Sequence, residues 1–189
     1  ARFPVTNADY GKFKSKDFDN GKENHPRVDV SWHDAREYIA WLNENNAENL
    51  PEGYSFALPS EAEWEKAARG EYANEYPWGN DFDKNKCNSF ESGKGTTSPV
   101  GQFSPVGDSP YGCADMVGNI WEWTRSVENN YPYDASDGRE SVDTVGWLML
   151  RGGAFNISSN LVRCATRLRH PGYGGNDHGF RVIVSPFSS

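Results

Sequence analysis

The sequence predicts an α+β domain, with two main helices early in the chain and short strands joined by long, irregular loops in the rest. Three observations predict this class. Two helix-capping patterns come early, helical periodicity disappears after residue 70, and short apolar runs follow near residues 116–121, 147–150 and 179–184. The 19 Gly and 11 Pro among 189 residues favour loops over a helical bundle. No Pro/Ser-rich linker divides the chain, so a single domain over residues 1–189 is the simplest organisation.

Two capping boxes place the helices. Ser31 with Asp34 three residues later predicts a helix over about residues 32–45, with its apolar side chains on one face. Ser60 with Glu63 repeats the pattern, and the glycine at position 70 is a typical helix stop.

The rest of the chain predicts turns and short strands. Residues 76–80 indicate a packed turn, and residues 81–115 are polar and Gly-rich. Gly118-Asn119 predicts a tight turn between short extended pieces. Residues 147–150 predict a strand, and residues 179–184 predict a final strand.

Composition limits the possible partners and compartments. The chain is 36% hydrophobic and 24% charged, which is sufficient for a packed core, and its net charge is −8. An acidic chain without 18 consecutive apolar residues predicts no nucleic-acid partner and no membrane span. Three cysteines do not make a disulfide scaffold. No signal peptide is visible and the chain starts at Ala1 without Met, so we expect a fragment of a longer protein whose compartment cannot be inferred from this end.

Eight short motifs occur in a fixed order along nearly the whole chain. They cover residues 4–10 (PVTNADY), 25–26 with 30–35 (HP, VSWHDA), 58–70 (LPSEAEWEKAARG), 76–80 (YPWGN), 99–101 (PVG), 115–124 (DMVGNIWEWT), 150–153 (LRGG) and 179–182 (GFRV). In this order they resemble the formylglycine-generating enzyme, or sulfatase-modifying factor, family. The resemblance implies a C-type-lectin-like α+β fold. Family members usually carry a further segment before the PVTN motif, which fits the expectation of a fragment.

The resemblance implies three classes of function. Some members of this family are copper-dependent oxidases that convert a cysteine to formylglycine, and others are iron-dependent sulfoxide synthases. A third group binds ligands without catalysis, and it includes variable proteins that retroelements diversify.

The residues disfavour both enzymatic classes. The oxidases resemble one another in two cysteines five residues apart, but here Ser159 stands five positions before Cys164. A hydroxyl does not replace a thiolate as a Cu(I) ligand, so copper is not expected, and Cys164 is predicted to be a small buried core residue. His25 and His33 lack metal-ligand spacing. His170 and His178, with Asp177, are close enough in sequence to form a site, but a pair of loop histidines is more often surface than ligand, and the helical domain that supplies most iron ligands is absent from this sequence.

Calcium is the metal that the resemblance implies. In the family, the equivalent of residues 115–122 holds calcium through the Asp115 and Glu122 side chains and the Gly118 and Ile120 carbonyls. A second site corresponds to Asn88, Ser89 and Glu91, where the different loop length weakens the match. Both would be structural, because they tie together loops that lack secondary structure. The alternative is that these are ordinary hydrogen-bonding turn residues.

Residues 154–178 have an unusual composition. They contain no Lys, Glu, Gln, Trp or Met, whereas the frequency in the remaining sequence predicts about five such residues. Every residue here belongs to the fifteen amino acids that arise when both adenines of an Asn codon ending in a pyrimidine are randomised. Adenine-directed diversification by a retroelement is one explanation. The other is that ordinary family members are also rich in Asn and Arg in this interval, and both remain open.

We therefore predict a non-catalytic ligand-binding domain whose contact residues lie in 154–178. Exposed aromatic and adaptable polar side chains are typical of such surfaces, whereas Arg151, Arg163, Arg167 and Arg181 are expected to hold loops. The partner is expected to be a protein, peptide or small molecule, and the domain is often fused to a signalling module in the family. A copper-dependent oxidase and a fixed regulatory domain are the alternatives. The predicted contact residues are Phe155, Ile157, Ser158, Ser159, Asn160, Thr166, Leu168, His170, Tyr173, Asn176, Asp177 and His178.

Overall fold

The computed structural model describes residues 1–14, 18–134, 136–141 and 146–186 of the chain. The helices are α1 (Asn7–Tyr10), α2 (Trp32–Asn46) and α3 (Glu61–Arg69), with short 3₁₀ helices at Ala47–Asn49 and Phe90–Ser92. The strands are β1 (Ser55–Ala57), β2 (Trp121–Val127), β3 (Leu148–Arg151), β4 (Arg167–His170), β5 (His178–Phe180) and β6 (Ile183–Ser185). This arrangement confirms the predicted α+β class.

Both predicted capping boxes are formed. At the start of α2, the backbone N–H of Asp34 donates to Ser31 Oγ, and the Ser31 N–H donates to the Asp34 carboxylate, each at 3.1 Å. At the start of α3, the Glu63 N–H donates to Ser60 Oγ at 3.1 Å, and the Ser60 N–H donates to Glu63 Oε2 at 2.7 Å. These reciprocal bonds satisfy N–H groups that the first helical turn leaves open, so each helix begins where the sequence predicts.

The main sheet places β2 at its centre. Among the described residues its strand order is β4-β3-β2-β5, where β2 pairs with β3 antiparallel and with β5 parallel. β1 and β6 form a separate antiparallel pair. The segment from residue 154 to residue 178 therefore leaves the sheet after β3, returns as β4 and ends at β5.

The prediction of one final strand over 179–184 is wrong. The chain forms β5 and β6 with a break at Arg181 and Val182, because β5 pairs in the main sheet and β6 pairs with β1. The break also lets the buried Arg181 side chain reach Glu122 in β2. The predicted strand at 147–150 begins one residue later, at Leu148.

The two predicted turns are present. Gly118 and Asn119 have φ angles of 75° and 68°, and β2 begins at Trp121, but residues 116–117 before the turn are not a strand. The Tyr76–Gly79 turn is closed by backbone hydrogen bonds in both directions, and the Tyr76 and Trp78 rings stack 5.5 Å apart.

The core has two hydrophobic clusters. One surrounds Trp123 and Phe180 in the main sheet, and the other surrounds Trp64 and Cys164 between α3 and the long loops. Ile157 packs against both clusters, so residues 154–178 begin at their boundary. Over the described ranges, no helix has the length and apolar character that crossing a bilayer requires.

Candidate ligand-binding surface

The first half of the 154–178 segment is held mainly through its backbone. The Phe155 N–H donates to the Asn119 carbonyl at 3.2 Å, and the Cys164 N–H donates to the Glu75 carbonyl at 2.8 Å. Between these points, the Ile157 carbonyl accepts from the Phe90 N–H at 3.0 Å. These backbone bonds act together with side chains that turn into the core, such as Val162 and Cys164, so the path of the loop does not depend on its exposed side chains.

Ser159 is anchored in the same way. Its N–H donates to Glu91 Oε1 at 2.7 Å, and its carbonyl accepts from the Tyr76 hydroxyl at 3.2 Å. Although limited burial opposes the effect, hydrogen bonds from Ser159 and Ser89 lower the pKa of Glu91 below its ordinary value. These bonds favour the ionised carboxylate at position 91, which accepts from the loop backbone at Ser159.

Two fixed arginines secure the segment to the scaffold. Arg151 is fully buried and donates to the Cys164 and Ala165 carbonyls at 2.8 and 3.1 Å, while Glu61 and Glu65 accept from the same guanidinium. Arg167 pairs with Glu61 through two nitrogens. The predicted anchoring role is confirmed for these residues.

The anchoring prediction is wrong for Arg163. This side chain is exposed, and among the described residues it makes no hydrogen bond or ion pair. It points to solvent because its neighbours Val162 and Cys164 turn into the core. Arg163 therefore belongs with the exposed side chains of the segment.

Some predicted contact residues are buried instead of exposed. Phe155 and His178 are each only 8% exposed, Ile157 packs into both core clusters, and Leu168 packs against the first. Phe155 is buried because its backbone is bonded to the Gly118–Asn119 turn, and His178 because it packs on Trp123. These residues support the surface from the core side, and only a small part of Phe155 remains accessible.

The exposed and half-exposed residues form the outer surface of the segment. Asn160, Tyr173 and Asn176 are exposed, and Tyr173 reaches 65% exposure. Predicted contact residues that are partly accessible are Ser158, Ser159, Thr166, His170 and Asp177.

Three further exposed side chains belong to this surface but were not predicted as contact residues, namely Phe90, Leu161 and Arg163. Phe90 is 68% exposed at the N-terminus of a 3₁₀ helix, directly beside Ile157, and Leu161 is also exposed. Exposed apolar side chains beside polar ones are typical of recognition surfaces. The interval 81–115 also contains Phe82 and Phe103, so no sequence signal distinguished Phe90 as an exposed contact residue.

A polar cleft of about 410 Å³ adjoins the two ends of the segment. Its lining includes Phe155 and Asn176 from the two ends of the segment, residues 95–97, and Lys22 and Arg27 from the N-terminal region. The cleft is large enough for a small polar molecule or one side chain of a larger partner.

The cysteines are arranged as core residues. Cys164 and Cys87 are buried in the second cluster, where burial raises the pKa of each thiol to about 12. Cu(I) requires thiolate ligands, which burial of this kind disfavours, and position 159 supplies only a hydroxyl. Over the described residues, no cluster of three or more His, Cys, Asp or Glu side chains is arranged to hold a metal. Cys164 is therefore a buried core residue, as predicted.

The residues of the first predicted calcium site lie together but are engaged with one another. Glu122 is fully buried, and its carboxylate accepts from Trp64 Nε1 at 2.8 Å and from Arg181 at 2.6 and 2.7 Å. The Gly118 carbonyl accepts from the Ile120 N–H at 2.9 Å. As arranged here, this set does not fit calcium, because the positive charge beside Glu122 is already supplied by Arg181. Calcium binding stays a prediction that requires the Glu122–Arg181 pair to open.

The second predicted calcium site is also internally bonded. The Asn88 side chain donates to the Thr96 carbonyl at 2.9 Å and accepts from the Ser92 hydroxyl at 2.9 Å, and Ser89 Oγ donates to Glu91 at 2.8 Å. These contacts fit the alternative of ordinary hydrogen-bonding turn residues. The two predicted sites are adjacent, since the Asn119 N–H donates to the Asn88 carbonyl at 2.7 Å.

The histidines separate into two groups. His25 contacts the Thr97 hydroxyl at 2.9 Å, and His33 is exposed beside Glu37. His170 and His178 come together at the ends of β4 and β5, with ring centroids 4.7 Å apart, and His178 Nε2 lies 3.4 Å from the Asp177 carboxylate.

Comparisons with known proteins identify the family of this chain. The family model of the sulfatase-modifying factor enzyme 1-like domain matches residues 1–186. The inactive C-alpha-formylglycine-generating enzyme 2 of Bos taurus is 37% identical over 169 residues, which are 82% of this chain and 49% of the relative. The serine/threonine-protein kinase pkn1 of Chlamydia caviae is 35% identical over 170 residues, which are 85% of this chain and 24% of the kinase. The chain thus spans about half of one relative and a quarter of the other.

A solved structure with the same fold is the variable protein 1 of Treponema denticola. It aligns with a TM-score of 0.76 at 20% sequence identity, over 96% of this chain and 81% of that one. At this identity the comparison identifies the fold, which is C-type-lectin-like as the motifs imply.

Proposed function

The chain belongs to the sulfatase-modifying factor enzyme 1-like family, and from that premise we propose that it is a non-catalytic ligand-binding domain. Its binding surface consists of the exposed side chains of residues 156–163, Tyr173 and Asn176, together with Phe90. The adjacent polar cleft of about 410 Å³ extends this surface toward the N-terminal region.

One observation carries the proposal: within the segment, the groups that hold the loop are different from the side chains that face solvent. Backbone groups and buried side chains such as Val162 and Cys164 hold the loop, while Ser158, Asn160 and Leu161 extend outward. A surface of this kind changes its chemistry without changing the fold, because substitutions at the exposed positions remove no scaffold contact. That property suits a recognition domain better than a catalytic site, whose side chains need fixed positions.

The thiol chemistry supports the absence of catalysis. An oxidase of this family would need a second thiolate where Ser159 stands, and Cys164 is a buried thiol in an apolar cluster. The bovine relative carries the word inactive in its name. The alternative, a copper-dependent oxidase, predicts one tightly bound Cu(I) per chain and oxidation of a cysteine-containing peptide in oxygen.

Retroelement diversification of residues 154–178 is the finer form of the proposal. It is supported by the restricted composition of this segment and by the fold shared with a Treponema variable protein. Sequencing the coding locus and its flanks tests it. A nearby copy of the segment that differs only where the copy has adenine supports diversification, and its absence supports a fixed ligand.

A substitution library tests the binding surface itself. Positions 158, 160, 161 and 163 are randomised together, and a matched library randomises the buried positions 154, 155, 162 and 164. We expect most members of the first library and few of the second to remain folded by thermal melting, since only the second set contacts the core. Equal losses in both libraries would show that the exposed side chains are part of the scaffold.

A fixed regulatory domain is the second candidate function. The kinase relative from Chlamydia caviae supports it, because this chain corresponds to only 24% of that protein. In such a protein the same surface would recognise a ligand or a neighbouring domain on behalf of a signalling module. Binding measured between this chain and the remainder of its own full-length protein distinguishes this candidate from a diversified binder.

A further inference from the structure

His170 and His178 stand at the two ends of the loop 171–177. His170 is the last residue of β4 and His178 the first of β5, and their ring centroids are 4.7 Å apart at an angle of 74°. Both rings also pack against the fully buried Trp123, at 5.4 and 5.6 Å. The loop between them carries Tyr173, Asn176 and Asp177 of the predicted ligand contacts.

The loop is held in place by hydrogen bonds from distant parts of the chain. Its carbonyl oxygens accept from segments on both sides, so its position is coupled to the start of α2 and to β2. The bonds are Trp32 N–H to Gly172 O at 3.0 Å, Asp29 N–H to Gly175 O at 2.9 Å, and Trp121 N–H to Asp177 O at 2.8 Å.

His170 takes part in this arrangement only when it is neutral. Its Nδ1 accepts a hydrogen bond from the Gly172 N–H at 3.2 Å. An imidazolium carries a proton on both nitrogens and has no acceptor. After protonation of His170, the Nδ1 proton would face the Gly172 N–H, and two donors would meet. Gly172 is also the residue whose carbonyl accepts from the Trp32 N–H.

His178 also favours its neutral form. Its Nε2 faces the Asp177 carboxylate at 3.4 Å, whereas its Nδ1 is buried and has no hydrogen-bond partner among the described residues. A proton on Nδ1 would add a buried donor without a well-placed acceptor, and the nearby Tyr173 carbonyl offsets only part of that cost in free energy.

Few groups around the two imidazoles would stabilise a positive charge on either of them. Asp177 is the carboxylate at the pair, and it also accepts from the Asn156 side chain. The Tyr173 ring lies 4.2 Å from that of His170, and β2 contributes the uncharged Trp123. On the opposite face of β4, Arg169 contacts Glu128. Burial lowers the pKa of His170, and the charge of its neighbour His178 adds to this. Burial likewise lowers the pKa of His178. Asp177 opposes the shift at both histidines, and the Tyr173 carbonyl also opposes it at His178.

We propose that His170 and His178 form an acid-sensitive latch that keeps the loop 171–177 closed while both imidazoles are neutral and releases it when either takes up a proton. The release moves Tyr173, Asn176 and Asp177, so ligand would be held near neutral pH and freed in acid. This consequence for the ligand rests on the proposed function, whereas opening of the loop does not. Because both pKa values are lowered by folding, the closed loop is stable above the ordinary histidine value of 6.5 and loses that stability as the pH falls below it.

Amide hydrogen exchange of the chain without ligand tests the latch. The reporter amides are those of Asp29, Trp32 and Trp121, which donate to the loop, and the control amides are those of Val5 and Trp64, which donate elsewhere. After correction for the intrinsic rate, we expect protection of the reporters to fall about tenfold between pH 7.5 and 5.0. The controls should change less than about twofold.

Two matched variants assign the effect. His170→Asn keeps an acceptor oxygen near the position of Nδ1 but does not ionise, and it should reduce the tenfold change to less than about threefold. His33→Asn, on the exposed face of α2, should leave it unchanged. If His170→Asn does not fold, proton NMR titration of the four imidazoles replaces it. His170 or His178 must then titrate below pH 6.5, at the same pH at which half of the reporter protection is lost.

Reporter protection that is independent of pH, or that falls together with protection of the controls, would overturn the latch. Neither result bears on the proposed function, since no ligand is present in these measurements. Conversely, a chain that has the latch but tolerates no substitutions on its outer surface would leave the loop inference standing and remove its role in ligand release.

Discussion

At the scale of single residues, Asp115 combines burial with an unusual backbone conformation. Its φ angle is 54°, its carboxylate accepts from the Gly101 N–H at 2.6 Å, and burial raises its pKa to about 6. The raised value means that the neutral carboxyl is favoured by folding. Its contribution to stability is therefore fully present below the ordinary value of 3.8 and is lost as the pH rises through about 6.

Asp115→Asn should therefore stabilise the protein at alkaline pH. Asn tolerates a positive φ and its side-chain oxygen can still accept from Gly101, but it carries no charge to desolvate. We expect the free energy of unfolding in urea to rise by about 1–2 kcal/mol at pH 8, and the gain to disappear by pH 4.

A matched carboxylate and a calcium series complete this test. Asp19 is exposed, and its hydrogen bond with Lys22 lowers its pKa, so Asp19→Asn should give no gain at pH 8. The measurement is made in EDTA and in excess calcium. If Asp115→Asn destabilised the protein only in calcium, Asp115 would be a calcium ligand, and the Glu122–Arg181 pair described above would be the arrangement of the calcium-free protein.

The three thiols should differ in reactivity because they differ in burial. Cys87 and Cys164 are buried with a pKa of about 12, while Cys113 is partly accessible. At pH 8 only about one in 10⁴ of the buried thiols would be ionised even if reagent reached them. With an aromatic disulfide reagent we expect one fast thiol in the native protein and three after unfolding. Rapid reaction of Cys164 in the native state would reopen the question of a metal-binding thiolate.

At the scale of secondary-structure elements, α3 links the capping pattern to the candidate surface. Its first residue, Glu61, pairs with Arg151 and Arg167, and Arg151 in turn holds the Cys164 and Ala165 carbonyls. The start of α3 is therefore part of the support for the 154–178 segment.

Removing the N-terminal cap of α3 should lower the stability of the protein by a measurable amount. Ser60→Ala loses the bond from the Glu63 N–H and should cost about 1 kcal/mol of stability. Ser158→Ala is the matched control, since among the described residues its hydroxyl bonds only to the exposed Asn160 side chain, and it should cost less than about 0.5 kcal/mol. Urea unfolding of the two variants compares them directly, and equal losses would contradict the capping role.

The sequence predicted those elements whose signals are local. A capping box is complete within four residues, so the starts of α2 and α3 were predicted to the residue. The final strand was not, because its division into β5 and β6 depends on pairing with β2 and β1, which are distant in sequence. Phe155 and His178 were expected at the surface for the same reason, since their burial depends on contacts with Asn119 and Trp123.

At the scale of the whole molecule, the two ends of the described chain and both core clusters are joined. The Val5 N–H donates to the Phe180 carbonyl at 2.9 Å, and the Arg27 N–H donates to the Val5 carbonyl at 2.8 Å. The N-terminal motif thus extends the region around β5. A chain with so little regular structure depends on such long-range contacts for its cooperativity.

Glu122 connects the two clusters most directly. Its carboxylate accepts from Trp64 of one cluster and from Arg181, which follows Phe180 of the other, and Ile157 packs against both. Replacing Glu122 or Arg181 alone would leave the other charge buried without its partner, at a cost of about 3–5 kcal/mol. The Glu122–Arg181 ion pair therefore couples the stability of the two clusters.

This connection predicts that the molecule unfolds as one unit. With 5-fluorotryptophan, the ¹⁹F signals of Trp64 and Trp123 report the two clusters separately, and we expect a single urea midpoint for both. In Arg181→Ala the free energy of unfolding that both signals report should fall by about 3–5 kcal/mol, because Glu122 loses its partner. Arg169→Ala, at an exposed pair with Glu128, should change it by less than about 0.5 kcal/mol. Separate midpoints in the unmodified protein would mean that the cluster around Trp64, which supports the candidate binding surface, is an independent folding unit.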